Sequence, residues 1–312
     1  MSPALTHPFA WIAAAAILAL VGASPAIALL AGLIAGILIG APEELHPARW
    51  SKRLLQASVV LLGFGMQIGA VAQVGVSSAG MTLLTVSATL VLAALLGRLM
   101  RVEREVSTLI GAGTAICGGS AIAAVAPAIG ASPVSTAVSL SVVFVLNGVA
   151  LLLFPWIGRL LGMTQQQFGL WAAIAIHDTS SVVGAAAAYG SEALGLATVV
   201  KLTRALWIAP VAFVAARLRG GDGAAAKVQW FLIGFVAASV IAWLVPAPGL
   251  WSALAGLGKT LMTPTLFMVG ATLTPGSLRT VGARPLLMGV VLWAIVSMTT
   301  AALVLGGVLH VG

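Results

Sequence analysis

Apolar runs long enough to cross a lipid bilayer recur along almost the whole chain. A helix needs about twenty apolar residues to span the hydrocarbon layer. Runs of this length fall near 8–24, 25–41, 54–71, 79–97, 106–131, 134–157, 166–190, 193–216, 228–246, 250–273 and 285–309. The sequence therefore predicts an all-α polytopic membrane protein with about 11 transmembrane helices, in a single transmembrane domain over residues 1–312.

Composition excludes the other large classes of protein. Hydrophobic residues make up 61% of the chain and charged residues only 7%, whereas a soluble domain has roughly a quarter charged residues. The net charge of +8 sits in short clusters without interleaved aromatic residues, so we expect no nucleic-acid partner. The single Cys117 has no partner for a disulfide and no metal-ligand pattern around it, so no cofactor or metal is expected. The first helix is predicted to stay uncleaved, because no basic residue precedes it.

Basic residues in the loops predict the orientation of the chain. Twelve of the fifteen Lys and Arg residues fall in every second predicted loop, whereas the loops near 72–78, 132–133, 191–192 and 247–249 have none. The basic loops carry Arg49, Lys52, Arg53, Arg98, Arg101, Arg104, Arg159, Arg217, Arg219, Lys227, Arg279 and Arg284. The positive-inside rule then predicts a cytoplasmic N-terminus and an outside C-terminus in the bacterial inner membrane.

A glycine-dense stretch from Gly111 to Ala124 interrupts one of the apolar runs. Unwound backbone is tolerated at membrane depth only where protein or a water-filled cavity surrounds it, so the stretch is a candidate binding site. Ser120 could then cap a new half-helix whose free amides attract an anion. The alternative is a bent but continuous helix that uses its small residues for close packing.

Four charged residues lie near the middle of predicted spans, where charge is costly unless it is paired or faces water. Asp178 belongs to a second polar interruption, from His177 to Ser181, and Lys201 and Arg204 share one helical face. The two cations could hold an oxyanion directly, or they could pair with Asp178 and release it during a transport cycle. A permanent ion pair that locks two helices is the structural alternative. Two cations against one carboxylate favour an anionic guest.

The remaining polar groups each allow two interpretations. His177 could titrate and couple transport to protons, or it could be a neutral packing residue. Lys259 could supply a third positive group or extend toward the membrane surface. Cys117 is expected to pack rather than to react, because no base can be assigned to it.

Weak internal symmetry suggests an inverted repeat of the kind found in secondary transporters. Residues 54–96 superpose on 259–301 without a gap, and a five-plus-five pairing of the helices is equally compatible. Both pairings predict two copies that cross the membrane in opposite directions.

Several stretches together resemble one known family. They are Leu-Leu-Gly-Phe at 61–64, the run from Gly111 to Ala124, His-Asp-Thr-Ser-Ser-Val-Val-Gly-Ala-Ala from His177, and Val-Lys-Leu-Thr-Arg ending at Arg204. In this order they resemble the bacterial sulfate exporter family, also called YeiH-like. The resemblance implies kinship with the cation/proton antiporters and bile-acid symporters, an inverted-repeat fold with discontinuous helices that cross at the midplane, and sulfate or a related sulfur oxyanion as cargo.

The sequence thus predicts a secondary transporter, not an enzyme, that exports a small anion by alternating access. The expected substrate-binding residues are Thr114, Cys117, Gly118, Gly119, Ser120, Ser180, Ser181, Lys201 and Arg204, and the expected coupling residues are His177 and Asp178. Protons and sodium are both candidate coupling ions, and a homo-oligomer in the lipid bilayer is compatible with the sequence. The alternatives are a cation/proton antiporter centred on Asp178, a membrane enzyme that uses Cys117 or His177, and a membrane protein without a transport role.

Overall fold

A computed structural model describes residues 8–23, 25–66, 68–218, 230–272 and 282–310. Within these ranges the regular structure is helical, with no strand. The helices are α1 (Pro8–Leu20), α2 (Pro25–Leu38), α3 (Pro47–Gly63), α4 (Ile68–Leu99), α5 (Arg104–Ala115), α6 (Gly119–Ala128), α7 (Pro133–Leu160), α8 (Gln165–Ala175), α9 (Thr179–Tyr189), α10 (Ser191–Ala205), α11 (Ile208–Leu218), α12 (Trp230–Leu244), α13 (Pro248–Thr272) and α14 (Ala283–Leu305). This confirms the all-helical prediction.

The chain divides into two compact units, and the first comprises Met1–Val71 and Gln229–Gly276. Its helices α1, α2 and α3 pack on α13, and α12 packs on α3. Gly32 and Gly36 let α2 approach α13 closely, because a Cβ atom on Gly32 would lie only 2.0 Å from the carbonyl oxygen of Phe267. Two small residues four positions apart are a common contact between membrane helices.

The second unit comprises Ala72–Val228 and Ser277–Gly312. Four helical segments within the described residues are long and apolar enough to cross a membrane, and all four belong to this unit: Ala72–Leu99, Pro133–Leu160, Ser191–Arg217 and Ala283–Leu305. The third of these is α10 followed directly by α11. These segments coincide with predicted spans and confirm a multi-pass membrane protein. The single domain stays a prediction, and the predicted count of eleven spans includes two segments, 106–131 and 166–190, that the structure breaks into separate helices.

The loop predicted near 72–78 is wrong, because these residues lie inside α4. The chain instead turns after α3, around residues 64–66. Gly75, Ser77 and Ser78 gave this stretch the composition of a loop. The hydroxyls of Ser77 and Ser78 donate to the carbonyls of Val74 and Gly75 within the helix, each at 3.3 Å, so their polarity is satisfied there.

The predicted span 106–131 is broken and folds back on itself. Helix α5 ends at Ala115 and α6 begins at Gly119. The two arms pack closely, because a Cβ atom on Gly113 would lie 3.1 Å from the Ile122 side chain, which is tighter than an ordinary van der Waals contact. Past α6, the backbone amide of Ser132 donates to Glu105 at 2.9 Å, near the start of α5. The segment is therefore a re-entrant helical hairpin that leaves on the side from which it enters.

The predicted span 166–190 is a second re-entrant hairpin. Helix α8 ends at Ala175 and α9 begins at Thr179. The rings of Phe168 and Tyr189, near the two outer ends of the hairpin, stack with centroids 3.8 Å apart. Neither interrupted segment thus crosses the unit, contrary to the expectation of two discontinuous spans. The two breaks themselves are where the sequence indicated them.

Helix α7 shows that the two hairpins enter from opposite ends of the second unit. Its start contacts α5, where Ser139 donates to the carbonyl of Val106 at 3.4 Å. Its end contacts α9, where Arg159 donates to the carbonyl of Ala188 at 2.8 Å. Ser139 and Arg159 are twenty residues apart on this helix, so the two contacts lie about 30 Å apart.

This arrangement corrects the predicted position of Arg159. We call the end where α5, α7 and α14 begin the basic end of the second unit. Its basic residues are Arg98, Arg101, Arg104, Arg217 and Arg284. Arg159 lies at the opposite end, because the segment before α7 turns back instead of crossing. Arg219, Lys227, Arg279 and part of the proposed 54–96 and 259–301 repeat lie outside the described residues.

Candidate functional site

The tips of the two hairpins touch each other. Gly118, in the tip between α5 and α6, has a φ of 65° and a ψ of −127°, a conformation that favours glycine. A Cβ atom at Gly118 would lie 3.3 Å from both the Cα and the Cβ of Asp178, in the tip between α8 and α9. The absence of a side chain at Gly118 therefore lets the two backbones meet. All of the predicted site residues lie in or beside these two tips, with Lys201 and Arg204 on the neighbouring α10.

Arg204 joins the carbonyl ends of both inbound helices. Its side chain is fully buried. One terminal nitrogen, Nη1, donates to the carbonyls of Ala173 at 3.1 Å and Ile174 at 2.6 Å, at the end of α8. The other, Nη2, donates to the carbonyl of Ala115, the last residue of α5. A guanidinium suits this position because the C-terminal end of a helix carries a partial negative charge and unpaired carbonyls.

Lys201 and a tryptophan complete the cap of α8. The Lys201 ammonium is also fully buried and donates to the carbonyls of Ile176 at 2.7 Å and Ala173 at 3.3 Å. The indole of Trp293 on α14 donates to the carbonyl of Ala175 at 3.1 Å. The backbone oxygens that lack helical partners at this break therefore accept hydrogen bonds from side chains of α10 and α14.

These contacts change the roles expected for the two cations. Within the part of the chain that the structure describes, neither Lys201 nor Arg204 forms an ion pair with Asp178. Their donors point at carbonyl oxygens, so the permanent ion pair is wrong. The same contacts occupy most of the N–H donors of both side chains, and among the described residues the Nε of Arg204 has no partner. Both cations instead lie on α10 next to the tips and contribute positive charge there.

Asp178 caps the outbound helix of its own hairpin. Its carboxylate accepts from the backbone amide of Ser180 at 3.1 Å and from the Ser180 hydroxyl. A carboxylate at a helix N-terminus is favourable because the amide end carries a partial positive charge. The backbone amide of Asp178 in turn donates to the side-chain oxygen of Asn147 at 3.1 Å.

Asn147 is a site residue that the sequence analysis missed. It lies halfway along α7 and is buried, and no described residue is a hydrogen-bond partner of its Nδ2. The available signal was the single amide side chain near the middle of the predicted span 134–157, since strongly polar groups at that depth usually have a function.

The N-terminus of α6 remains open for a ligand. Gly118, not Ser120, is its N-cap residue, and no side chain caps the helix, so the capping role expected for Ser120 is wrong. The backbone amides of Gly119 and Ser120 donate to no acceptor among the described residues, and both residues are only half-buried. Asp178 and Ser180 are half-buried as well. Amide donors, two hydroxyls and one carboxylate therefore share a partly accessible surface.

Several buried polar atoms around the tips have no partner among the described residues. They are the hydroxyl of Thr114, the Nδ2 of Asn147, both ring nitrogens of His177 and the Nε of Arg204. Buried polar groups are almost always hydrogen-bonded in proteins, so such a cluster indicates a place for water or a ligand.

The other candidate residues contribute less. Cys117 and Ser181 are buried beside the tips, and the amide of Ala121 faces the Cys117 thiol. Lys259 is exposed on α13 in the first unit. In the described ranges no three His, Cys, Asp or Glu side chains come together to form a metal site.

Comparisons with known proteins identify relatives along almost the whole chain. A family model described as "Conserved hypothetical protein 698" matches residues 4–289. A "UPF0324 membrane protein" of Bdellovibrio bacteriovorus is 45% identical over 92% of this chain and 90% of its own. One of Geobacter sulfurreducens is 48% identical over 88% of each chain, and one of Bacteroides thetaiotaomicron is 45% identical over 89% of this chain and 86% of its own. No solved structure matches the chain. The resemblance to sulfate exporters stays a prediction.

Proposed function

Because the chain belongs to the membrane-protein family described as "Conserved hypothetical protein 698", we propose its function from the two hairpin tips: it is a secondary transporter of a small anion. The observation that carries this proposal is the uncapped, half-buried N-terminus of α6, whose Gly119 and Ser120 amides have no acceptor within the described residues. Helix N-termini with free amides bind anions through hydrogen bonds and through the helix dipole.

The anion would be held by neutral donors, with the buried cations acting at a distance. The Gly119 and Ser120 amides and the Ser120 hydroxyl form the binding surface, and the Ser180 hydroxyl lies across the tip contact. Lys201 and Arg204 donate to the carbonyl ends of α5 and α8. The site therefore contains two positive side chains and one carboxylate, that of Asp178. This excess of positive charge favours a negatively charged ligand. We propose sulfate or a related sulfur oxyanion first, from the resemblance of the sequence motifs.

Asp178 is the residue we assign to coupling. An anion bound at Gly119 would lie close to the carboxylate, since Gly118 touches Asp178. Two unit charges about 4 Å apart repel by about 4 kcal/mol at an effective dielectric constant near 20. Protonation of Asp178 removes this repulsion, so anion and proton would bind together. The nearby Lys201 and Arg204 offset this repulsion only in part, because both cations are already bonded to carbonyls.

Alternating access would use the opposed hairpins. Each hairpin closes the route from the tips to one end of the second unit, so movement of one hairpin or the other exposes the anion to one side at a time. The order of one hairpin followed by one long span occurs twice, as α5–α6–α7 and α8–α9–α10–α11, with opposite entry ends. We propose this pairing as the inverted repeat. By the positive-inside rule the basic end would be cytoplasmic and the C-terminus outside, in the bacterial inner membrane.

Flux of radiolabelled sulfate or sulfite in proteoliposomes tests the proposal. Ser120→Ala removes one donor to the anion, and we expect the KM to rise by about tenfold to a hundredfold, because a hydrogen bond to a charged group contributes roughly 1.5–3 kcal/mol. Asp178→Asn should leave anion flux that no longer responds to a proton gradient. Ser77→Ala is the matched control, because this exposed serine on α4 bonds only its own helix.

Three results would contradict parts of this assignment. Equal KM values for Ser120→Ala and Ser77→Ala would remove the α6 site. An unchanged gradient response in Asp178→Asn would remove the coupling role. Sodium-dependent proton release that disappears in Asp178→Asn, without anion flux in the parent protein, would instead support a cation/proton antiporter.

A further inference from the structure

A cavity of about 230 Å³ opens at the basic end of the second unit, away from the hairpin tips. Its charged lining comes from Arg101, Glu103 and Arg284, and its apolar lining includes Val106, Val134 and Pro285. The starts of α5, α7 and α14 converge on it. Pockets for drug-sized ligands are larger, roughly 300–1,000 Å³, so this cavity suits a small head group.

The charges around the cavity favour an anion. Arg101 and Arg284 are exposed, and neither guanidinium donates to another group in the described ranges. The one acidic residue of the lining, Glu103, accepts from the Ser135 hydroxyl at 3.5 Å, on the α7 wall. Two guanidinium groups without a partner among the described residues therefore line the cavity, and guanidinium binds phosphate oxygens in a bidentate manner.

Arg101 occupies a backbone position where an arginine is unusual. Helix α4 ends in a Schellman turn, in which Val102 donates to the carbonyl of Gly97 at 2.9 Å and Arg101 donates to that of Arg98 at 3.3 Å. Arg101 holds the left-handed position of this turn, with a φ of 53°. Glycine normally occupies this position, because other residues are strained there.

Apolar surface next to the cavity indicates the source of the anion. Leu99, two residues before Arg101, is 79% exposed, and Val134 in the lining is 72% exposed. Both belong to helices that are long and apolar enough to cross a membrane, so this surface faces acyl chains. A phosphate that entered here with lipid chains attached would place those chains along Leu99 and Val134.

We propose that this cavity binds the phosphate head group of an anionic phospholipid. Arg101 and Arg284 contact the phosphate, and the exposed side chains of Leu99 and Val134 contact the acyl chains. Basic pockets between transmembrane helices on the cytoplasmic side commonly bind such head groups. The site is independent of the anion site at the hairpin tips.

Thermal unfolding of the detergent-purified protein with added lipid tests the site. Phosphatidylglycerol should raise the unfolding temperature of the parent protein, and phosphatidylcholine should not. Arg101→Gly and Arg284→Gln should each weaken phosphatidylglycerol binding at least tenfold. Arg101→Gly is the sharper variant, because glycine fits the left-handed turn and the lipid-free protein should unfold at the same or a higher temperature.

The control variant is Arg217→Gln, which removes another exposed arginine at the basic end and should keep the full response to phosphatidylglycerol. Equal lipid responses in Arg101→Gly, Arg284→Gln and the parent protein would overturn the site. Equal responses to the anionic and the zwitterionic lipid would overturn the role of charge. If inorganic phosphate alone reproduced the whole effect, the site would bind a free anion, and the lipid assignment would be wrong.

Discussion

Replacement of Gly118 by alanine is the most direct test of the contact between the hairpin tips. Gly118 combines a φ of 65° with close packing against Asp178. The substitution adds one methyl group and changes no charge, so its effect reports on backbone conformation and packing alone.

The structure gives two contributions to the loss of stability. A non-glycine residue in this part of conformational space costs about 1–3 kcal/mol. The added Cβ at Gly118 would also lie 3.3 Å from two atoms of Asp178, which is tighter than ordinary contact, and overpacking costs a further 1–3 kcal/mol or so. We therefore expect Gly118→Ala to lower the free energy of unfolding by about 2–6 kcal/mol and to reduce anion flux sharply, because the tips separate.

Gly130→Ala supplies the matched control. Gly130 has a φ of 63° at the outer end of the same hairpin, but a Cβ there would meet nothing within 4 Å. Denaturant unfolding in detergent should show a loss of only about 1–2 kcal/mol for this variant, and flux should persist. Equal losses of stability and of flux in the two variants would refute the contact between the tips.

Further predictions concern the caps of the broken helices and the orientation of the chain. Arg204→Gln should severely lower the yield of folded protein, whereas Arg217→Gln should not. The reason is that Arg204 is buried and donates to three carbonyls, whereas Arg217 is exposed. Equal yields of the two variants in detergent size-exclusion chromatography would contradict this. Trp293→Phe keeps an aromatic ring but loses the hydrogen bond to α8, so the free energy of unfolding should fall by about 1 kcal/mol. The control is Trp230→Phe, at an exposed position. Equal free energies of unfolding for the two variants would argue against the cap. In a chain without its native cysteine, Arg159→Cys and Arg217→Cys should react with impermeant reagents from opposite sides of the membrane. If both cysteines were labelled from the same side, the segment 166–190 would have to cross the membrane, and the second hairpin would be wrong.

The positions of the breaks could be predicted, but their consequences for the path of the chain could not. Glycines around Gly113 and polar residues around Asp178 weaken a helix locally wherever they occur, so composition alone located both interruptions. A break permits the chain either to continue across the membrane or to turn back. The choice depends on contacts between residues far apart, such as Phe168 with Tyr189.

The same limit applies to the charged residues. Their depth and their excess of positive charge were evident from Lys201, Arg204 and Asp178 in the sequence. Their partners were not, because backbone carbonyls exist at every residue, and only folding decides which ones lose their helical bonds next to a particular side chain. Asn147 was missed for this reason, because its hydrogen bond to the backbone of Asp178 depends on where the fold places that hairpin tip.

By itself the sequence determined that this is an all-helical membrane protein with two interrupted apolar segments and buried charge of mostly one sign, because those properties follow from local composition and from the cost of charge in hydrocarbon. The tertiary structure alone decided that the interruptions form opposed hairpins, that two cations cap carbonyl ends, and that the N-terminus of α6 stays open. Those outcomes depend on which distant groups meet in space, and each unpaired backbone group takes whichever partner the fold brings within reach.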